Sequence, residues 1–219
     1  MDISSWQTAL VSFRPFLDWS QLPLDTPALF ALAAGLGWAA GLRLYALVFA
    51  LGVLSKLSVL VLPTGLQLLA HPLVIGAAGL MLVIEFFADK LPWLDSIWDA
   101  VHTFIRIPAG AALAGALVGG DSGALSIALG LLGFTTAAGT HFAKAGTRAL
   151  LNTSPEPVSN LAASFSEDAF FVVGFWALIN HPLWFLAGLL VFLLLAALMI
   201  RLTWKLIARL FRRRTTESG

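Results

Sequence analysis

The stretch ALFALAAGLGWAAGLRLYALVFALGVL, residues Ala28–Leu54, decides the fold of this chain. It is a long apolar run broken only by Arg43. About 20 consecutive apolar residues cross the hydrocarbon core of a bilayer as an α-helix, because each residue adds about 1.5 Å of length. The stretch therefore predicts a membrane-spanning helix that carries one charge near its middle.

The composition extends this interpretation to the whole chain. Of 219 residues, 59% are apolar and 11% are charged, whereas an ordinary soluble domain has about 45–50% and about 25%. Such an apolar share would overfill one soluble core, and lipid is the solvent that accommodates the excess. We predict an all-α fold, a polytopic transmembrane helix bundle with five or six crossings. The absence of cysteine excludes a disulfide framework, a thiol nucleophile and a Cys-ligated metal site.

Other apolar segments supply the remaining crossings. Four of them are long enough to span the bilayer, and they cover Pro72–Ala88, Ile97–Val118, Ala124–Leu151 and Leu183–Leu206. Two further apolar segments, residues 56–70 and 165–180, are short. Pro63 and Gly65 interrupt the first, and the second opens on acidic residues, so both are predicted to be broken or re-entrant.

The two ends of the chain predict how it sits in the membrane. Residues 1–27 mix aromatic and charged side chains and are predicted to form an interfacial amphipathic segment, with no cleavable signal peptide. Residues 28–207 are the predicted transmembrane domain, and residues 208–219 are a basic tail. Positive charge next to a span stays in the cytoplasm. We therefore expect a multi-pass protein of the inner (plasma) membrane with a cytoplasmic C-terminus.

The expected partners follow from the same features. The lipid bilayer is the first partner, and small-residue helix faces such as Ala111, Gly115, Gly119 and Gly123 allow close helix packing or an oligomer. Nucleic acid is not expected as a partner, because the one basic cluster is the tail beside the last span.

Two local matches indicate an internal duplication. Residues 35–43 resemble residues 133–141, and the tripeptide His-Pro-Leu occurs at residues 71–73 and again at residues 181–183. Three crossings would separate the equivalent helices, so an inverted repeat is predicted, with one short broken segment in each half. Inverted repeats of this kind are typical of transporters and channels. Chance similarity between apolar helices is the alternative explanation.

Ionisable residues inside the predicted bundle are clustered rather than scattered. Asp95, Asp99, His102 and Arg106 follow one another at helical spacing, so they share one face of a helix. Charged groups in lipid are costly and usually face a cavity or a partner. The predicted substrate or ion pathway comprises Glu85, Asp89, Asp95, Asp99, His102, Arg106, His141, Lys144, Arg148, Asn160, Glu167 and Asp168.

These residues allow more than one interpretation. Their acidic and basic groups are nearly balanced, so they can neutralise each other and hold helices together. They can equally line a hydrated pathway with ion-binding or proton-relay groups, in which the histidines titrate near neutral pH. A third interpretation places Asp89, Lys90 and Asp95 in interfacial water near the Pro92–Trp93 turn.

The same polar segments resemble a known family. The strings EFFADKLPWLDSIWDAVHTFIRIPAG (residues 85–110) and HFAKAGTRALLNTSPEPVSN (residues 141–160), with SFSED at residues 164–168, resemble the hallmark of a bacterial membrane family. That family is catalogued as domain of unknown function number 4126, and the resemblance covers roughly residues 30–200. One visible departure is Ile107 before Pro108. The resemblance implies a multi-pass membrane protein without an established activity, and it supports treating the polar residues as one site.

The sequence favours a transporter or channel for a small ion or solute. One alternative is a membrane enzyme acting on a lipid or lipid phosphate, although HExxH, GxSxG and phosphate-loop motifs are absent from the sequence. Another alternative is a structural or assembly factor whose charges serve partner helices. No cofactor and no metal are predicted, and no residue is assigned a catalytic role.

Overall fold

The computed structural model describes residues 18–21, 27–91, 93–119, 123–151 and 157–216. These residues form helices and no β-strand, which confirms the predicted all-α bundle. Much of the predicted interfacial segment 1–27 lies outside the described residues, as do residues 152–156. The α-helices are α1 (Pro27–Lys56), α2 (Pro72–Ala88), α3 (Leu94–Gly115), α4 (Gly123–Leu151), α5 (Pro157–Asn180) and α6 (Pro182–Thr216).

Helix length and composition support a multi-pass membrane protein. Within the described residues, four helical segments are long and apolar enough to cross a bilayer: Pro27–Lys56, Leu94–Val118, Gly123–Leu151 and Val158–Asn180. The short 3-10 helix Thr64–Ala70 and helix α2 form a pair bent by 67°, which raises the number to at most five. Helix α6 adds a shorter apolar stretch, Pro182–Leu198.

The two His-Pro-Leu motifs both mark the start of a helix. Before α2, His71 is the N-cap residue, and its Nδ1 accepts a hydrogen bond from the backbone N–H of Leu73 at 3.3 Å. Pro72 and Pro182 are the first residues of α2 and α6, a position where the missing N–H of proline has no intrahelical partner to lose. The repeated tripeptide is therefore a helix-start signal in both places.

Helix α1 does not run straight. Its backbone leaves helical geometry at Arg43, where φ is −147° and ψ is 73°. In a straight helix Leu29 and Lys56 would be about 40 Å apart, and the seven residues from Lys56 to Pro63 can span at most about 25 Å. Yet Leu29, Pro63 and Thr64 line one small cavity. Helix α1 therefore folds back at Arg43 into a first arm, residues 27–42, and a second arm, residues 44–56.

The first arm packs closely against α3 and α4, and glycines lie at the point where the three helices cross. A Cβ atom built on Gly37 would lie 2.8 Å from the Cα of Gly133, and one on Gly110 would lie 2.6 Å from the Cβ of Ala137. These separations are shorter than van der Waals contact, so the backbones of α1, α3 and α4 touch at this level. Small residues let membrane helices approach so closely.

Replacing Gly133 by alanine is expected to lower the melting temperature of the purified protein. The added Cβ would lie 2.4 Å from the Cβ of Ala114, and overpacking of this kind costs about 1–3 kcal/mol. Gly146, on the same helix, has no atom within 4 Å of a built Cβ. Gly146→Ala is the matched control and should leave stability unchanged or raise it, because alanine favours helix. Equal melting temperatures for both variants would contradict the close crossing.

The helix directions differ from the predicted inverted repeat. The first arm of α1 contacts α4 at Gly37 with Gly133 and at Gly41 with Ala137, so the two matched segments run in the same direction. The reversal at Arg43 explains the difference. The sequence indicated three crossings between the equivalent helices, and the fold-back of α1 adds one change of direction. The matched segments of the two halves are therefore parallel where inverted halves would be antiparallel.

Only one of the two predicted broken segments is broken. Residues 56–70 form a turn and a short 3-10 helix that bends into α2, as Pro63 and Gly65 predicted. Residues 165–180 instead lie inside the continuous helix α5. The acidic pair Glu167 and Asp168 does not end the helix, because arginine side chains from α4 and α1 neutralise it.

Candidate functional site

Charged side chains gather at one end of the bundle. Helices α2 and α4 end there, α3 and α5 begin there, and the fold-back of α1 reaches the same level. Arg106 lies 12 residues into α3, so the cluster extends about 18 Å into the bundle. We call this cluster the ionic network; its members are Arg43, Glu85, Asp89, Lys90, Asp95, Asp99, Arg106, Lys144, Arg148, Glu167 and Asp168.

The deepest part of the network is a triad around Arg106. Its Nη1 donates to Oδ1 of Asp99 at 2.7 Å, and its Nη2 donates to Oε1 of Glu85. All three side chains are at most 2% exposed. Asp99 and Arg106 are seven residues apart, two turns of α3, so the helix itself points them to the same side. Glu85, from α2, is the second carboxylate, so the Arg106 cation has two buried anionic partners.

Asp89 and Lys144 form the centre of the network. Nζ of Lys144 donates to Oδ2 of Asp89 at 3.2 Å, and it lies 3.6 Å from Asp99 and 3.7 Å from Glu167. Burial acts to raise the pKa of Asp89, but the charges of Lys144 and Arg43 act more strongly together, so its pKa lies below the ordinary value. Asp89 is therefore ionised at neutral pH, and Lys144 has three carboxylates within reach.

Arg148 ties the ends of α4 and α5 together. Its Nε and Nη2 each donate to Glu167 at 2.8 Å, the two-pronged geometry that guanidinium and carboxylate favour. Its Nη1 donates to the side-chain oxygen of Asn160 and to the backbone oxygen of Asp89 at 3.0 Å. A carboxylate oxygen of Asp95, at the start of α3, lies 3.8 Å from the same Nη1. The charge of Arg148 thus joins three helix ends.

Besides Lys90, the predicted pathway left out one member of the network, Arg43. Its Nη1 lies 2.7 Å from Asp89 and its Nη2 lies 2.7 Å from Asp168, and the residue is 1% exposed. One arginine at the tip of the α1 hairpin therefore joins the end of α2 to α5. The signal was present in the sequence, because a lone charge inside a long apolar run marks a functional position by default.

The histidines lie beside the network and bond to neutral groups. Nδ1 of His102 donates to the backbone oxygen of Trp98 at 2.7 Å, and its Nε2 lies 3.0 Å from the hydroxyl of Tyr45. The hydroxyl of Thr103 donates to the backbone oxygen of Asp99 at 3.0 Å and lies 2.7 Å from Nε2 of His141. The Thr103 hydroxyl has one proton, which it donates to the backbone oxygen of Asp99. It must therefore accept the second hydrogen bond, and Nε2 of His141 is the donor.

The exposed edge of the network is formed by Lys90. Its Nζ lies 3.0 Å above the ring of Phe86 and 3.9 Å from Asp168, and it donates to the hydroxyl of Ser164 at 3.5 Å. Asp168 is 32% exposed, whereas the inner carboxylates are almost fully buried. The network therefore grades from a dry interior at Arg106 to an accessible rim at Lys90 and Asp168.

All twelve residues predicted for the pathway thus lie at this end of the bundle. The ten charged or amide side chains among them are members of the network or bond to it, and the two histidines flank it. The predicted pathway lacked Arg43, Lys90, Tyr45 and Thr103. The last two are a phenol and a hydroxyl in helical runs, and only the fold brings them to the histidines.

A cavity of about 380 Å³ reaches the network from the side, between α4, α5 and α6. Lys144 and Glu167 line its polar part, and apolar side chains that include Leu42, Phe170 and Phe192 line the rest. Two members of the network, Lys144 and Glu167, therefore border a cavity in the wall of the bundle.

The fold and this site together define a multi-pass integral membrane protein with a buried, nearly neutral ionic network. The chain belongs to the family described as Domain of unknown function (DUF4126), whose model matches residues 30–202. The family resemblance of the two polar segments is thereby confirmed. No curated protein and no solved structure matches the chain.

Proposed function

We propose that this protein is a transporter or channel that moves a small ion or solute through the ionic network. The observation that carries the proposal is the placement of the network at the tip of the α1 hairpin, inside a bundle of membrane-spanning helices. Buried charges are costly in a membrane and usually mark a substrate or ion pathway. Broken helices near such charges are a recurrent feature of transporters.

The pairing pattern also suits a pathway. Lys144 has Asp89, Asp99 and Glu167 within 3.7 Å, so its ammonium can exchange carboxylate partners over short distances. Six carboxylates face five cations in the network, so with neutral histidines it has a net charge of −1. The arrival or departure of one cation or proton would therefore change which pairs form. A purely structural network needs no such choice of partners.

The proposed orientation places the network on the cytoplasmic side. Helix α6 begins beside Pro27 and passes Gly139 at Leu193, so it runs towards the network end of the bundle. The basic residues that follow along α6 would be retained in the cytoplasm. In the proposed inner-membrane topology, the rim at Lys90 and Asp168 is then open to the cytoplasm.

Asp99→Asn is expected to reduce transport to the background of empty liposomes. The change keeps the size of the side chain but removes a charge that both Arg106 and Lys144 contact. The measurement is charge movement and internal pH in proteoliposomes under imposed pH, Na⁺, K⁺ and Cl⁻ gradients. Wild type should move at least one of these ions, or should acidify or alkalinise the lumen.

Asp18→Asn is the matched control. Asp18 bonds to Ser20, and the bridge from Asp18 to Val61 places it beside the cavity of Leu29, away from the network. Its flux should equal that of wild type. Equal flux in wild type and Asp99→Asn, with both proteins folded, would contradict the role of the network. Absence of any flux in wild type would favour the enzyme or assembly alternatives.

A further inference from the structure

The side cavity indicates which class of solute the site accepts. Thr140 and Lys144, one turn apart on α4, line it together with Glu167 on α5. Phe170 and Phe192, from α5 and α6, lie with ring centroids 5.5 Å apart and form part of its apolar wall, with Leu42 from α1. The cavity therefore offers a charged end and an aromatic wall within about 380 Å³, which is the size of a small organic molecule.

Thr140 provides an independent sign of a ligand. The residue is fully buried, and its Oγ1 has no hydrogen-bond partner among the described residues. Other threonines on α4 are satisfied, since Thr136 and Thr147 donate to backbone oxygens. Buried hydroxyls are nearly always hydrogen-bonded. Rotation of the Thr140 side chain towards the cavity would let a polar group of a bound molecule supply the missing partner.

The electrostatics favour a cationic group. Lys144, whose ammonium lines the cavity, lies within 3.7 Å of Asp89, Asp99 and Glu167. An anion in the cavity would lie against Glu167 and beside a network with a net charge of −1, whereas a cation would balance that charge. Glu167 is 14% exposed and is thus the carboxylate that a ligand reaches. The faces of Phe170 and Phe192 add cation–π and apolar contacts.

We propose that the cavity is a binding site for a small primary ammonium compound with an aromatic or alkyl body. Its ammonium group donates to Oγ1 of Thr140 and lies near Glu167, and its apolar body packs on Phe170 and Phe192. The inference rests on the proposed transport function and names the substrate class of that site.

The test is isothermal titration of the full-length protein in lipid nanodiscs with phenethylammonium. Phenylacetate, which has the same ring and a carboxylate at the end of its chain, is the anionic probe. Wild type should bind phenethylammonium and should not bind phenylacetate. Thr140→Val, which keeps the shape but removes the hydroxyl, should weaken binding about fivefold. Phe192→Leu should weaken it about threefold.

Thr135→Val is the matched control, because Thr135 lies on an exposed part of α4 and its hydroxyl donates to the backbone oxygen of Leu131. This variant should bind like wild type. Tighter binding of phenylacetate, no binding of phenethylammonium by folded wild type, or equal effects of Thr135→Val and Thr140→Val would each overturn the site. Ion flux without probe binding overturns the site and leaves the proposed function standing. Probe binding by a protein that moves neither these ions nor phenethylammonium in proteoliposomes supports the site and counts against transport.

Discussion

Arg106→Met is expected to destabilise the folded protein by about 3–5 kcal/mol, the cost of leaving buried charges without their partner. Arg106 is fully buried and is the cation that Glu85 and Asp99 share in the deepest part of the network. Methionine fills a similar volume but leaves two carboxylates without that cation. For a chain of this size the loss should lower the melting temperature by about 10 °C or more. The melting temperature is measured by thermal unfolding in detergent, followed by tryptophan fluorescence.

The same triad allows a rescue experiment. Arg106→Met combined with Glu85→Gln and Asp99→Asn removes the charge of all three side chains, and it should recover most of the lost stability because no unpaired charge remains. Arg201→Met is the control for the arginine change itself, since Arg201 is exposed on α6. A triple variant as unstable as Arg106→Met alone would show that packing, and not charge, explains the effect.

Arg43→Leu should have the second-largest effect. It removes the cation that lies 2.7 Å from both Asp89 and Asp168, and it makes the whole stretch Ala28–Leu54 apolar. We expect a loss of about 3 kcal/mol or more from the broken buried pairs. We also expect the hairpin to open, since an uninterrupted apolar helix can cross the bilayer directly. Arg43→Leu should therefore abolish transport as well as lower the melting temperature.

Arg43→Lys distinguishes charge from geometry at the same position. Lysine keeps the positive charge, but its single ammonium cannot hold two carboxylates on two separate nitrogens as a guanidinium does. Stability and flux should fall between those of wild type and Arg43→Leu. A lysine variant identical to wild type would mean that joining Asp89 to Asp168 through one side chain is unimportant.

Much of the site could be predicted from local spacing. Asp95, Asp99, His102 and Arg106 share one face of α3 because the helix repeats every 3.6 residues, and all four are buried on that face. The same holds for His141, Lys144 and Arg148 on α4. A charged face on an otherwise apolar helix must turn inward, away from lipid. Local periodicity therefore predicted which helix faces turn inward. The counts of acidic and basic residues predicted that the site is nearly neutral.

The fold-back of α1 could not be predicted in this way. Residues near Arg43 keep an apolar, helix-compatible pattern, and no proline marks the break. What holds the reversal is Arg43 with Asp89 and Asp168, which are 46 and 125 positions further along the chain. Contacts so distant in sequence leave no local signal. The direction of the repeats was wrong for the same reason, since it depended on counting α1 as one crossing.

The continuity of α5 has a related cause. Glu167 and Asp168 read as the polar start of a short segment, because carboxylates are usually found at helix starts. In the structure Arg148 and Arg43 pair with them from two other helices. The pairs allow a membrane helix to continue through two adjacent carboxylates. Such compensation becomes visible only when the partner helices are in place.

The most direct test of the account is the sidedness of the α1 hairpin, because the hairpin carries Arg43 into the network. The chain has no cysteine, so single cysteines can be introduced at Pro27, Leu57 and Leu91, which are exposed positions. They are labelled with a membrane-impermeant maleimide in sealed, oriented vesicles. We expect Pro27→Cys and Leu57→Cys to react from one side of the membrane and Leu91→Cys to react from the other. Labelling of Pro27→Cys and Leu57→Cys from opposite sides would show that α1 crosses the membrane directly and would contradict the account.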